Sequence, residues 1–270
     1  MHNYQILASI IYKILSNCKL VYVDHKAKNL KNYRDRISIF FMYFFANKIV
    51  TINPTYFQSL KKFFNDRVVY IPNPVSNIFT KKKIYKEYKN QIFKIGMASR
   101  INTFKHHKLI IDTVNKISKN NIKIICEFAG DGELKTKLIE YVQTLNLKTK
   151  VKFIGILNES NLRNWLNSLN LYVQATKGEG MSTSVLQALS SKTLVLGSDV
   201  CGNNDILEKS KFVGKLFKNN ILDLEKKIMF FYFLKKKNKE KYLKAGTHYI
   251  NKNHHCNLVR KKYFYLINNL

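Results

Sequence analysis

Acidic residues are scarce in this chain. Asp and Glu number 17 against 47 Lys and Arg, a formal net charge of +30 over 270 residues. Such an excess attracts anions, whether nucleic acid, phospholipid or phosphorylated substrate. Lys, Asn and Ile are abundant along the whole sequence rather than in one patch. The charge therefore reads as a compositional bias, and no nucleic-acid partner is expected from it. Cysteine is sparse too: Cys18, Cys126, Cys201 and Cys256 lie far apart. That excludes pairs at metal-ligand or redox spacing and suits a reducing compartment. No apolar run reaches the ~20 residues of a membrane span. The longest, Ile37 to Ala46, reads as a buried helix. Met1 to Ser16 lacks the basic region, clean apolar run and small-residue cleavage site of a signal peptide. A cytoplasmic location is the expectation.

What is present is a globular pattern. The hydrophobic fraction is 46%, and a chain of this length carries a prior of about two domains at ~150 residues each. Short β-branched runs alternate with helix-like segments. Lys19 to Val23, Lys48 to Ile52 and Arg67 to Ile71 read as strands. Tyr33 to Ala46 reads as a helix, and Pro54 can open another through Phe64, because proline fits the first helical turn. Pro72-Asn73-Pro74 then stops regular structure. The charged, core-poor stretch Thr80 to Asn90 marks a domain boundary, giving units 1–80 and 81–270.

Beyond it the rhythm is cleaner. Phe93 to Met97, Ile122 to Phe128, Val151 to Ile154, Leu171 to Gln174 and Thr193 to Leu196 read as strands. Helices between them carry apolar stripes such as Ile110, Val114 and Ile117 at i, i+4 and i+7. Tyr249 to Leu270 is basic, aromatic and helical in character. The alternation predicts βαβ units, parallel sheets and right-handed crossovers. Such sheets bind ligands beyond the carboxyl ends of their strands. The segments that follow those ends are Gly96 to Lys105, Gly130 to Gly132, Gly155, Gly178 to Thr183 and Asp199 to Asp205.

Four of these could carry chemistry. Arg100 and Lys105 offer a bidentate grip and a mobile point charge for a diphosphate, although in a lysine-rich chain two solvated cations are the simpler reading. Gly178-Glu179-Gly180-Met181-Ser182-Thr183-Ser184 runs into a helix. Its amides could hold an anion and Glu179 could accept from hydroxyls, or it is an ordinary capped helix start. Gly130-Asp131-Gly132 and Gly202-Asn203-Asn204-Asp205 fit simple turn chemistry. A carboxylate at Asp205 would be unfavourable beside a phosphate, so its role is structural or directed at a hydroxyl. The adjacent pairs His106-His107 and His254-His255 do not share a helix face, so no metal site is expected. No Asp-x-Asp, P-loop or Gly-x-Ser-x-Gly motif is present.

The order and spacing of these blocks say more than any one of them. "KIGMASRINTFKHHKLIIDTV", "CEFAGDGELKTKLIEYV" and "VKFIGILNESNLRNWLNSLNLYVQATKGEGMSTSVLQALSSKTLVLGSDVCGNNDIL" together resemble the C-terminal domain of retaining glycosyltransferases of the group 1 family. The likeness runs from about Phe93 to Phe217. Upstream, "VVYIPNPVSNIF" resembles the segment leaving the family's N-terminal domain, and "CKLVYVDHKAK" its strand bearing a functional histidine. The resemblance implies an α/β GT-B fold, two Rossmann-like domains facing across a cleft. It implies donor-diphosphate binding by Arg100 and Lys105, and donor-sugar contact by Glu179, the first position of a Glu-x7-Glu motif. The backbone of Gly180, Met181 and Ser182 would lie beside the sugar and phosphate. Gln187 stands at the second motif position, where the family has a glutamate on the ribose hydroxyls. His25 matches the histidine near the reaction centre.

The implied reaction is metal-independent, retaining sugar transfer from a nucleotide-sugar such as a UDP- or GDP-sugar. The acceptor would be a glycan or lipid-linked glycan in surface polysaccharide synthesis, with no cofactor. The family's first domain opens with a strand and a glycine-rich loop, whereas here the histidine position comes 25 residues after the start. The first domain is therefore expected to be incomplete. A nucleotide-sugar-binding remnant, or a fragment needing a partner for the missing half, stays open as a second reading. The basic-aromatic tail suits an anionic membrane surface, which makes a peripheral position at the inner membrane face a further expectation.

Overall fold

The computed structural model describes residues 3–25, 33–80, 92–208 and 211–270. The expected junction at 81–91 lies outside the described residues. The first unit contains α1 (Asn3–Ser16), β1 (Val21–Asp24), α2 (Tyr33–Phe45), β2 (Lys48–Thr51), α3 (Pro54–Phe64) and β3 (Val68–Tyr70). Its strands are parallel, in the order β1-β2-β3. Helix α3 starts where Pro54 predicts. Asn53 caps it by accepting the Tyr56 N–H at 2.7 Å, which satisfies one of the free donors of the first turn.

Alternation along these strands sorts the residues to two faces. Tyr22, Ile49 and Val68 pack with Ile10, Ile39, Met42 and Leu60 of the three helices. Val50, flanked by Val21, Val23 and Val69, meets Val259 and Leu266 of α11 (Cys256–Asn268) on the other side. The C-terminal helix thus lies against the first sheet, not the second. The run from Ile37 to Ala46 forms α2 but is not a buried helix. Ile39, Met42, Tyr43 and Ala46 are buried, whereas Ile37, Phe40, Phe41 and Phe44 are exposed. Large apolar side chains point to both sides of this helix, so the local sequence does not mark which side meets water.

The second unit alternates more regularly: β4 (Phe93–Ala98), α4 (His107–Ser118), β5 (Ile124–Ala129), α5 (Lys135–Thr144), β6 (Val151–Gly155), α6 (Glu159–Ser168), β7 (Leu171–Gln174), α7 (Thr183–Ser190), β8 (Leu194–Ser198), α8 (Cys201–Leu207) and β9 (Lys215–Phe217). Two helices follow, α9 (Ile221–Tyr232) and α10 (Lys236–Asn253). The six strands are parallel in the order β6-β5-β4-β7-β8-β9. The chain winds outward in both directions from the β4/β7 pair, so the loops leaving those two strands diverge and open a crevice. The helix expected from Tyr249 to Leu270 breaks at His254-His255. There the buried His254 donates from Nδ1 to the Asn73 carbonyl at 2.9 Å, and Val75 N–H donates to the His254 carbonyl at 2.8 Å. The Pro72-Asn73-Pro74 segment is therefore the seat on which the chain turns back to the first unit.

Candidate functional site

The site grows out of that switch point. After β4 the chain runs through Arg100 to Lys105, and Lys105 forms an isolated bridge with Thr176 just after β7. The loop after β7 reaches Glu179. Lys105 Nζ lies 2.5 Å from Glu179 Oε2, with side chains 16% and 20% exposed. The pair is shielded on most sides yet open to the crevice. Glu179 is further oriented by Gln174 Nε2, which donates to the same oxygen at 3.2 Å. Gln174 Oε1 in turn lies 2.7 Å from the Tyr172 hydroxyl, whose proton burial retains by raising its pKa. Two inward groups of β7 thus hold the carboxylate.

Gly180, Met181 and Ser182 follow, all buried. Ser182 caps α7, its Oγ accepting the Val185 N–H at 3.4 Å. The first amides of this helix follow Glu179 by four residues, and a helix start favours an anion. Gln187 is half-buried within α7.

Arg100 is exposed and lines a pocket of about 270 Å³ with Ala98, Gly130, Ile156, Leu157 and Leu162, among others. The loop joining Arg100 to Lys105 is braced from below by His107. Its Nε2 is 3.2 Å from Ser99 Oγ and its Nδ1 3.4 Å from the Lys105 carbonyl, with the ring edge-on to Phe128. Burial lowers its pKa to about 4, so the ring is neutral near pH 7.

The structure therefore brings Lys105, Glu179, Gly180, Met181 and Ser182 together. Arg100 sits on the adjoining wall. His25 is exposed immediately after β1, at the carboxyl edge of the first sheet. From that same edge Asn53, following β2, reaches across to donate to the Gly180 carbonyl at 3.0 Å. The carboxyl edges of the two sheets thus face each other. Sequence reasoning missed Gln174, Tyr172, His107 and the side chain of Asn53. The strand pattern marked Tyr172 and Gln174 only as alternating residues, and Asn53 was visible only as the residue before a helix-opening proline. Asp205 fulfils its expectation: it accepts from the Thr55 hydroxyl at 2.6 Å.

Two facing Rossmann-like units with the site between their strand ends define a GT-B architecture. The chain belongs to the family described as Glycosyl transferases group 1, whose model matches residues 77–249. Among curated relatives it is 31% identical over 139 residues to protein CapJ of Staphylococcus aureus, covering 50% of this chain and 35% of that one. It is 29% identical over 161 residues to the poly(ribitol-phosphate) alpha-N-acetylglucosaminyltransferase of Staphylococcus aureus, covering 57% and 32%. The matches span about a third of these two relatives' own length. Among solved structures, Anabaena HepE in complex with UDP and glucose superposes with a TM-score of 0.84 at 13% identity, covering 100% of this chain and 76% of that one. A Staphylococcus aureus TarM structure containing UDP gives 0.75 at 20% identity, covering 93% and 51%.

Proposed function

We propose that this chain transfers a sugar from a nucleotide-sugar donor to a glycan or lipid-linked acceptor in surface polysaccharide synthesis, with retention at the anomeric carbon and without a metal. The observation that carries the reading is the Lys105–Glu179 pair at the switch point, beside the amides that open α7. A sugar diphosphate needs both partners: cations and amides for the leaving group, and a carboxylate for the sugar hydroxyls and the electron-poor anomeric centre.

In this reading the acceptor hydroxyl attacks the anomeric carbon from the face the diphosphate leaves. The glycosidic C–O bond to phosphate breaks, and a phosphate oxygen takes the acceptor proton. Arg100, Lys105 and the α7 amides stabilise the charge that develops on the diphosphate. Arg100 and Lys105, the latter once released from Glu179, supply positive charge that a divalent ion would otherwise bring. The pocket beside Arg100, walled by Ile156, Leu157 and Leu162, suits the flat base of the nucleotide. Gln187 would bind the ribose hydroxyls, and His25 would face the sugar from the other unit. A relative supports the class of reaction: the UDP-Gal:alpha-D-GlcNAc-diphosphoundecaprenol alpha-1,3-galactosyltransferase of Escherichia coli is 30% identical over 138 residues, covering 50% of this chain and 35% of that one.

The proposed setting is the cytoplasmic face of an anionic membrane. No described helix is long and apolar enough to cross a membrane. The outer stripe of α2, Ile37, Phe40, Phe41 and Phe44, is exposed at helical spacing, with Tyr12 and Leu15 of α1 and Phe63 of α3 also exposed. Lys61 and Lys62 are exposed beside Phe63. Acids are few here: Asp24, Asp35 and Asp66 in the first 80 residues. An apolar stripe with cations and few acids complements anionic lipid, whereas a second copy of a +30 chain brings like charge.

The test is calorimetric titration with UDP, GDP and their common sugar conjugates at two salt concentrations. Selective binding of one nucleotide, tightened by one sugar, supports a donor site. A folded chain that binds none of them removes the reading.

A further inference from the structure

One buried polar junction has no part in the reaction above. Asn53, after β2 of the first unit, and Asp205, on α8 of the second, are 3% and 6% exposed. The Asn53 amide donates one hydrogen bond to an Asp205 carboxylate oxygen and another to the Gly180 carbonyl. Its own oxygen accepts the cap bond from α3, so both donors and the oxygen of this side chain are engaged. The Thr55 hydroxyl donates to the other Asp205 oxygen. The carboxylate therefore spans the first turn of α3, where the helix dipole favours a negative charge. From behind, the Gly202 N–H donates to the Glu179 carbonyl at 3.2 Å, and a Cβ at Gly202 would collide with the carbonyl oxygens of both Glu179 and Gly180.

We propose that Asn53 is a positioning residue for the donor loop: with Asp205 it clasps the two units and fixes the Glu179–Gly180 backbone between α3 and α8. The proposal rests on the donor-site reading only for what the loop binds. Its physical basis is the cost of a half-made junction. Separating the units strips the Asp205 carboxylate of both first-unit donors, leaving it only the weak Cys201 thiol at 3.8 Å among the described donors, and leaves the Gly180 carbonyl without Asn53, so these contacts form and break together. The orientation of Glu179 is thereby tied to the first unit, although Glu179 belongs to the second.

The variant that tests this is Asn53→Ser. Serine keeps the cap on α3 by accepting the Tyr56 N–H, but it is too short and has too few donors to serve Asp205 and Gly180 together. Amide hydrogen exchange in peptides covering residues 178–182, measured without ligand, should rise about tenfold, as expected for losing one charge-assisted hydrogen bond. Exchange in α3 should stay as in the parent. In titrations, affinity for the nucleoside diphosphate alone should change less than about twofold, while the extra affinity contributed by the sugar should fall about tenfold. Unchanged exchange at 178–182 overturns the clasp. If the parent chain binds no nucleotide-sugar, the donor-site reading fails while the exchange experiment still decides the clasp. Thr55→Val removes one bond to Asp205 and leaves the cap intact. It should raise exchange in the same peptides by a smaller factor, and no rise in either variant also overturns the proposal.

Discussion

Lys105 Nζ and Glu179 Oε2 are 2.5 Å apart, although 74 residues separate them in the chain. The contact joins the loop after β4 to the loop after β7 across the switch point. It also means that the cation proposed for the diphosphate is already engaged by the carboxylate proposed for the sugar. A bound diphosphate and Glu179 then compete for one ammonium group.

That competition gives a signed prediction for Glu179→Gln. The amide keeps the shape and a hydrogen-bonding oxygen but releases Lys105 from its charged partner. Affinity for UDP or GDP should be unchanged or rise up to about threefold, and sugar transfer should fall about a hundredfold, as for a lost charge-assisted contact in the transition state. Calorimetry and a product assay with the matched donor separate the two effects. A collapse of diphosphate affinity would mean that Glu179 holds the loop rather than the sugar.

Arg100 makes a contrasting case, because it is exposed on the wall of the pocket. Arg100→Ala should weaken UDP or GDP about tenfold and the free nucleoside less than twofold, with the difference shrinking in high salt. Equal losses for nucleoside and diphosphate would remove the assigned role.

The second unit was largely legible because its helices are amphipathic and its strands end in glycine-rich or polar turns. The strand read as Leu171 to Gln174 is β7 with the same bounds, and Pro54 to Phe64 is α3. Both have chemical punctuation at their ends. Legibility failed where an answer depends on another part of the chain. Phe40 and Phe44 look like core residues locally, and only their position on the outward side of α2 leaves them exposed. The break between α10 and α11 is set by Asn73, 181 residues away from His254. In the site, Lys105 and Glu179 could be named from the family pattern, but their mutual contact could not. The braces Gln174 and Tyr172 lie inside a strand whose pattern signals burial and nothing about hydrogen bonding.

Acid stability should carry the signature of two buried histidines. Burial lowers the pKa of His107 and of His254 from 6.5 to about 4. Between those values the unfolded chain binds protons that the folded chain refuses. Their contribution is complete above pH 6.5 and is lost as pH falls towards 4, up to about 3 kcal/mol for each. Denaturant titrations across that range should show stability rising with pH, with a shallower slope in His254→Gln than in the parent. A parallel slope would mean that His254 is charged or solvated in the folded state. His107→Gln should flatten the slope likewise, and should also weaken diphosphate binding if its brace on the Lys105 loop positions that cation.

The exposed stripe on α2 makes the membrane reading separable from the net charge. Binding that arises from +30 alone would be spread over the surface and indifferent to a few aromatic side chains. Binding through α2 needs its apolar stripe as well as the nearby cations. Phe40→Ser with Phe44→Ser should therefore reduce sedimentation with vesicles containing phosphatidylglycerol by about tenfold or more, since burying a phenylalanine side chain contributes about 1.5–3 kcal/mol. Both positions are exposed in the folded chain, so stability should change little. The matched pair Phe264→Ser and Tyr265→Ser on α11 tests the basic-aromatic tail in the same way, because those rings are exposed on the opposite side of the first sheet. Loss of binding in the α11 pair with none in the α2 pair would move the membrane surface to the C-terminal helix. If neither pair alters binding, lipid is excluded as the partner of the α2 stripe. A concentration-dependent dimer abolished by the α2 pair would then identify its occupant as a second copy of the chain.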